Sequence, residues 1–412
     1  LTRVLFLTES FHPVLGGGEA HIRDLGRRLA ATGFGATVVT RRGDASWPAR
    51  EELDGIRVVR VPPPGPGRPG KYLMVPAALH ALRGERSRYD VVVVRGTRVL
   101  GLPGLAAARA LGKGVVLQPE LNGELSGEAY TWGKAWSAGI AGRAVRLFTA
   151  ARNLWLRDAD RFVAMSRIIR SEMAAAGVPE ERIALIPHGV DLGQFRPASP
   201  EERAGLRARL GWPAEDLVLV YTGRLLRGKG LEPLLDAFAG VAPGAPNARL
   251  VIVGSGEGQA LSVEDDLKAR VDAAGLGARV TFTGRLDSVV DALRAADVFV
   301  FPSLFEALGI SLVEAAACGL PAVASRTGGI VDVVENGVGG RLVPPGDVSG
   351  LAEALRQLLA DAALRRAMGE RARARAVERF DVEDSLERYR ALFAEVASRV
   401  TGAPGPVACA SR

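Results

Sequence analysis

The sequence predicts an α/β protein made of two Rossmann-like, doubly wound parallel sheets. Three observations lead there. The chain has 412 residues, more than one hydrophobic core usually supports. It opens on a strand, glycine loop, helix and strand in that order, and the same grammar restarts in full near residue 217. Aromatic residues are only 6% of the chain while Ala and Gly dominate its apolar share, which suits α/β packing better than a β-sandwich.

In the first series an apolar run from Val4 to Thr8 precedes a loop with Gly16, Gly17 and Gly18, a helical pattern to about Thr32, and a strand from Ala36 to Thr40. Further β-branched runs fall at Ile56–Val61, Asp90–Val94, Gly114–Leu117 and Arg161–Met165, with a Pro/Gly-rich loop from Pro62 to Gly70. In the second series Leu217–Tyr221 reads as a strand, "TGRLLRGKG" as its loop and Leu231–Phe238 as a helix. Strand-like runs recur at Arg249–Val253, Arg279–Thr283, Val298–Phe301, Ala322–Ser325 and Gly340–Val343. The expected organisation is a first domain over 1–188, a second over 189–380, a closing helix over 381–399 and a disordered Gly/Pro/Ala tail over 400–412.

Charge is unevenly spread. Residues 1–190 hold 27 Lys+Arg against 17 Asp+Glu, whereas the remainder holds 26 against 29. A basic first half fits an anionic partner, such as a phospholipid surface or a phosphorylated acceptor, or simply a solvated Arg-rich surface. Cys318 and Cys409 are the only cysteines, and neither context suggests a disulfide, so a reducing, cytoplasmic setting is expected. There is no apolar run of membrane-spanning length and no signal-peptide layout, so any membrane contact is expected to be peripheral. No nucleic-acid partner is expected.

In sheets of this class ligands sit at the carboxyl ends of strands, where helix N-termini gather. Arg224 and Lys229 lie in such a loop, just before a helix. Cations there oppose the helix dipole unless an anion joins them; a phosphate clamped by both reverses the sign. The alternative is two exposed loop cations, one partly answered by Glu232. "FEALGISLVE" follows the strand ending at Phe301. Its Glu306 lies before the next helix and Glu314 inside that helix's first turns, placed to accept hydrogen bonds from sugar and ribose hydroxyls, while Gly309 lets backbone amides approach a ligand. Ser311-X-X-Glu314 also reads as a capping box. Gly16–Gly18 lets amides approach a phosphate or reacting centre, or forms an ordinary tight turn. Asp158-Ala159-Asp160 matches an Asp-X-Asp metal pattern but sits at a helix end. With four histidines scattered along the chain, no metal site is expected.

The stretch from Trp132 to Arg157 stands apart. Trp136, Ile140, Ala144, Leu147, Ala151 and Trp155 recur at three- or four-residue intervals, interleaved with Lys134, Arg143, Arg146, Arg152 and Arg157. Such a helix either packs on a sheet or lies in the interface of an anionic membrane.

Taken together, the ordered motifs resemble glycosyltransferase family 4 of the GT-B fold over about residues 3–395. The segments that carry the likeness are the Gly16–Gly18 loop, "VAMSRIIRSEM…IPHGVDLGQFRP", "GRLLRGKGLEPLLDAF" and "PSLFEALGISLVEAAACGLPAVASRTGG". The resemblance implies two domains facing a central cleft, an acceptor on the first and a nucleotide sugar on the second, with the closing helix crossing back to the first domain. It implies that Arg224 and Lys229 clamp a diphosphate, Glu306 contacts the donor sugar, Glu314 the ribose, and amides near Leu308 and Gly309 the sugar hydroxyls. Gly17 and Gly18 complete the implied donor side, and Glu306, Arg224 and Lys229 the implied catalytic set.

Three positions depart from the family pattern. His188 stands where members more often have Asn, and Asp332 where many have Glu. Many members also place a His in the first-domain loop that reads "LQPELNGELSG" in this chain; Gln118, Glu120, Asn122 or Glu124 takes its place, or the acceptor class differs. The implied activity is a metal-independent, retaining hexosyl transfer from a UDP- or GDP-sugar to a carbohydrate or lipid-linked acceptor, in polysaccharide or glycolipid biosynthesis, without a resident cofactor. A sugar-nucleotide epimerase and a non-catalytic nucleotide-sugar-binding protein are the alternatives on the same architecture.

Overall fold

The computed structural model describes residues 2–14, 16–65, 67, 69–131, 139–259 and 261–402. The chain forms two compact units: Leu1–Pro187 with Asp384–Arg412, and His188–Glu383. The C-terminal tail expected to be disordered lies, from residue 403 on, outside the described residues.

Unit 1 runs β1 (Arg3–Leu7), α1 (Gly17–Ala31), β2 (Gly35–Arg41), β3 (Arg50–Leu53), β4 (Ile56–Val61), α2 (Pro69–Leu73), α3 (Val75–Gly84), β5 (Val91–Arg95), α4 (Gly101–Ala110), β6 (Gly114–Gln118), α5 (Glu128–Thr131), α6 (Ile140–Leu156), β7 (Arg161–Ala164), α7 (Arg167–Ala175) and β8 (Ile183–Leu185). Its eight-stranded sheet has the order β3-β4-β2-β1-β5-β6-β7-β8 and is parallel except where β3 meets β4. Central strands such as β5, "VVVVR", are buried at every position, because helices cover both faces and leave neither open to solvent. The edge strand β3, "REEL", shows half-buried and exposed positions in alternation, and its charge guards the open edge.

Unit 2 runs α8 (Pro200–Leu210), β9 (Leu217–Thr222), α9 (Leu231–Val241), β10 (Ala248–Val253), α10 (Glu264–Ala273), β11 (Val280–Gly284), α11 (Val290–Ala295), β12 (Val298–Phe301), α12 (Ile310–Ala317), β13 (Ala322–Ser325), α13 (Ile330–Val333), β14 (Gly340–Val343), α14 (Val348–Ala360) and α15 (Ala362–Arg379). Its six-stranded sheet is parallel throughout, in the order β11-β10-β9-β12-β13-β14. Helix α8 starts on a complete capping box, Ser199 with Glu202.

The last helix, α16 (Val382–Thr401), belongs to unit 1 from Asp384 onward. Tyr389, Phe393 and Val396 are fully buried in the unit 1 core, with Phe393 edge-on to Phe6 at 6.3 Å between centroids. Arg161 makes a two-pronged bond to Glu395.

Candidate active site

Unit 2's sheet is built outward in two directions from β9 and β12, so the connections after these neighbours lead to opposite faces and leave a crevice at their carboxyl ends. The loop after β9 carries Arg224 and Lys229, and the loop after β12 carries Ser303, Glu306 and Leu308. The two loops are tied together. Leu304 N–H donates to Gly228 O (2.9 Å), and Lys229 Nζ pairs with Glu306 Oε1, which also accepts from Ser303 Oγ (3.2 Å). Arg224 is exposed and makes no ion pair among the described residues.

Tyr221, at the end of β9, forms the floor. Its ring stacks on Phe301 at 6.3 Å, and its hydroxyl donates to Arg224 O (3.1 Å). Burial, then the charge of Glu306, holds that hydroxyl protonated far above the usual tyrosine range.

Two helices begin at this crevice without a side-chain cap: α9 after Gly230 and α12 after Gly309. Their first amides are therefore open to an anion or a hydroxyl oxygen. Gly309 has φ +89°, and a Cβ there would come 2.9 Å from the Phe301 ring, so this position requires glycine. Gly328 is tighter still: at φ +52° its Cβ would lie 1.8 Å from Glu306 O. Gly329 N–H donates to that same carbonyl (3.2 Å), so the paired glycines brace the Glu306–Leu308 backbone from behind. The capping box read at Ser311 does not form, because Gly309 is the N-cap. Glu314 in the second turn of α12 accepts no hydrogen bond from the described residues, and burial pushes its carboxyl up to about 7.

Unit 1 has its own switch point, between β1 and β5. Gly17 and Gly18 form the first turn of α1 rather than the preceding loop, since nothing at a helix start demands a positive φ. A Cβ on Gly18 would stand 3.4 Å from Arg95 Nη2 and 3.8 Å from Glu120 Oε1, which places this turn beside the Arg95–Glu120 ion pair (3.2 Å). Glu120 keeps 36% of its side-chain surface yet sits deep among neighbouring groups. Loss of hydration there, with Glu124, Glu19 and Glu9 nearby, pushes its carboxyl up to about 7 against the pull of Arg95.

The other three residues proposed for the acceptor side divide. Gln118 is buried and donates to Tyr389 Oη (3.0 Å). Glu124 is buried with both oxygens occupied: Oε2 accepts from Thr97 N and Oγ1 (2.6 and 2.8 Å), and Oε1 from the amides of Glu120 and Leu121 (3.2 and 3.1 Å). Glu124 thus supports the loop's own backbone, and Gln118 ties its strand to the last helix. Asn122 is half-buried with no side-chain hydrogen bond among the described residues. Glu9, Arg95 and Tyr221 escaped the sequence reading; each sits at or just after a strand's carboxyl end, and that placement is the signal that could have found them.

Asp158 and Asp160 both engage Arg109, and Asp160 also accepts from Val115 N (2.7 Å), which is a structural role. Among the described residues no three His, Cys, Asp or Glu side chains are grouped to hold a metal ion.

A family model described as Glycosyltransferase Family 4 matches residues 15–194, and one described as Glycosyl transferases group 1 matches residues 202–375. D-inositol 3-phosphate glycosyltransferase 1 of Catenulispora acidiphila is 33% identical over 371 residues, covering 84% of each chain. The chain belongs to glycosyltransferase family 4. Among solved structures, sucrose-phosphate synthase of Thermosynechococcus elongatus superimposes with a TM-score of 0.81 at 27% identity, over 96% of this chain and 100% of that one. HepE of Anabaena, solved in complex with UDP-glucose, gives 0.76 at 23% identity over 98% and 100%, a likeness of fold. The chain is thus a glycosyltransferase of two parallel-sheet α/β units, and its two switch points are where its chemistry is to be sought.

Proposed function

We propose that this glycosyltransferase moves a hexosyl group from a UDP- or GDP-sugar to a hydroxyl of a carbohydrate or lipid-linked acceptor, with retention at the anomeric carbon. The observation that carries the reading is the cation-bearing crevice of unit 2. Lys229 is held by Glu306 beside exposed Arg224, and two uncapped helix N-termini open at the same strand ends. That arrangement suits a diphosphate, whose negative charge grows as the bond to the sugar breaks. Lys229 keeps donors beyond the one spent on Glu306, and Arg224 has its whole fork available.

In this mechanism the C–O bond between the anomeric carbon and the diphosphate breaks, and its electron pair stays on the leaving phosphate oxygen. The acceptor hydroxyl adds to the same face of the sugar and gives its proton to that oxygen, so no protein base and no metal ion take part. Glu306 would receive donor-sugar hydroxyls, and Glu314 those of the ribose. Glu120 on unit 1 would orient the acceptor. The Catenulispora relative is named for a phosphorylated polyol, which supports an acceptor rich in hydroxyls. The cytoplasmic setting read from the cysteines belongs to this proposal.

A thermal-shift screen of UDP-, GDP- and ADP-sugars, followed by product analysis with and without EDTA, tests it. One nucleotide sugar should raise the melting point and be consumed only with acceptor present, EDTA changing nothing. Donor conversion without acceptor would instead indicate an epimerase, and binding without turnover a sensor.

A further inference from the structure

Helix α6 is oriented the opposite way from an ordinary core helix. Its buried side carries Thr149, Arg152 and Asn153 together with Gly142 and Leu156, whereas Ile140, Leu147, Phe148, Leu154 and Trp155 are 62–84% exposed. At 3.6 residues per turn those five side chains fall within an arc of about 120°, with exposed Arg143 and Arg146 along one margin. The 17-residue helix contains no Asp or Glu. Trp136 and Lys134, which the sequence periodicity had joined to this helix, lie outside the described residues.

The inward polar residues fix this orientation. Arg152 donates to Glu124 O (2.7 Å) and Tyr130 Oη (2.8 Å), and Asn153 donates to Leu125 O (2.7 Å). Rolling the helix to bury its apolar arc would break every one of these bonds and bury Arg143. An exposed apolar arc of this size marks an interaction surface.

We infer that α6 is a docking surface for an anionic lipid bilayer, lying in the headgroup plane with its apolar arc in the acyl boundary. Charge decides between occupants. A second copy laid on this face would bring up a helix that is itself basic, with no Asp or Glu of its own to answer these arginines. An anionic headgroup layer answers both, and Trp155 is the side chain best suited to that interface. No helix of the described residues is long and apolar enough to cross a membrane, so the contact is in-plane. Because Arg152 and Asn153 bond directly to the loop carrying Glu120 and Glu124, the docked face is continuous with the loop we assign to the acceptor.

The test is vesicle flotation of the full chain, which reads binding and not transfer, so it succeeds or fails independently of the proposed reaction. The chain should float with phosphatidylcholine–phosphatidylglycerol vesicles about tenfold or more better than with phosphatidylcholine alone, and lose this in high salt. Leu147→Ser with Trp155→Ser should abolish flotation while melting as the parent does. Should that pair misfold, Arg143→Ala and Arg146→Ala, each expected to weaken binding about fivefold, decide instead. Equal flotation of parent and variants, no preference for the anionic vesicles, or a dimer that the double variant splits would each overturn the inference.

Discussion

The two switch points share a topology and differ in charge. In unit 2 the crevice presents Arg224 and Lys229, and Glu306 holds the lysine in place. In unit 1 four glutamates gather, Glu9, Glu19, Glu120 and Glu124, with Arg95 buried among them and Lys71, Arg98 and Arg41 acting on Glu9. The contrast runs against net charge, since the first 190 residues are the basic ones. On the proposed reading, one sheet architecture would serve the diphosphate in unit 2 and the acceptor in unit 1. The basic surplus of unit 1 is not concentrated at its switch point, and the exposed arginines of α6 are part of it.

Breaking the comparison on the unit 2 side should give the largest effect. Lys229→Ala is expected to lower turnover by roughly 10²–10³, as for loss of one transition-state donor; a steady-state assay of kcat at saturating donor checks it. Gly328→Ala should come next. It forces a Cβ into the Glu306 carbonyl at a positive φ, so stability should fall by about 1–3 kcal/mol, read as a lower melting temperature together with weaker nucleotide binding.

The two raised carboxyls sharpen the contrast through pH. Each ionises near 7 in the folded state, whereas the unfolded chain releases that proton near the ordinary glutamate value. Between those limits the folded state binds more protons, so stability drifts down as pH rises through the window. If ionised Glu314 receives the ribose, nucleotide affinity should rise about tenfold between about pH 6 and 8, and Glu314→Gln should flatten that slope in calorimetric titrations. Glu120→Gln should leave nucleotide affinity and its pH slope untouched. It should lower kcat/KM several-fold at about pH 8 and little at about pH 6, where the parent carboxyl is already neutral. A Glu120 variant that altered nucleotide binding would erase the division of labour between the units.

Much of the fold was legible because parallel strands buried on both faces read as unbroken apolar runs, as at Val91–Val94 and Val298–Phe301. β3 was not, because an edge strand of "REEL" has no apolar run, and neither was β8, three residues long. On the unit 2 side the loop positions of Arg224, Lys229 and Glu306 could be read from what precedes and follows them. The capping box offered as the alternative at Ser311 does not form, because the motif is blind to where the helix starts; the steric demand for glycine at 309 sets that start. In unit 1 the residues proposed for the acceptor side are sequence neighbours. Only the fold separates Glu120, facing Gly18 and Arg95, from Glu124, whose oxygens are consumed by the loop's own amides. The helix at 140–156 shows the same limit, since periodicity finds an apolar face but not the direction it points.

The central claim is that unit 2's crevice recognises the diphosphate itself. Calorimetric titration of UDP and GDP, and of the matching monophosphates, into the parent chain and into Arg224→Ala with Lys229→Ala tests it most directly. The parent should prefer one diphosphate over its monophosphate by more than about tenfold, and the double variant should lose that preference while keeping its melting temperature. A double variant that still distinguished diphosphate from monophosphate as the parent does would contradict the account.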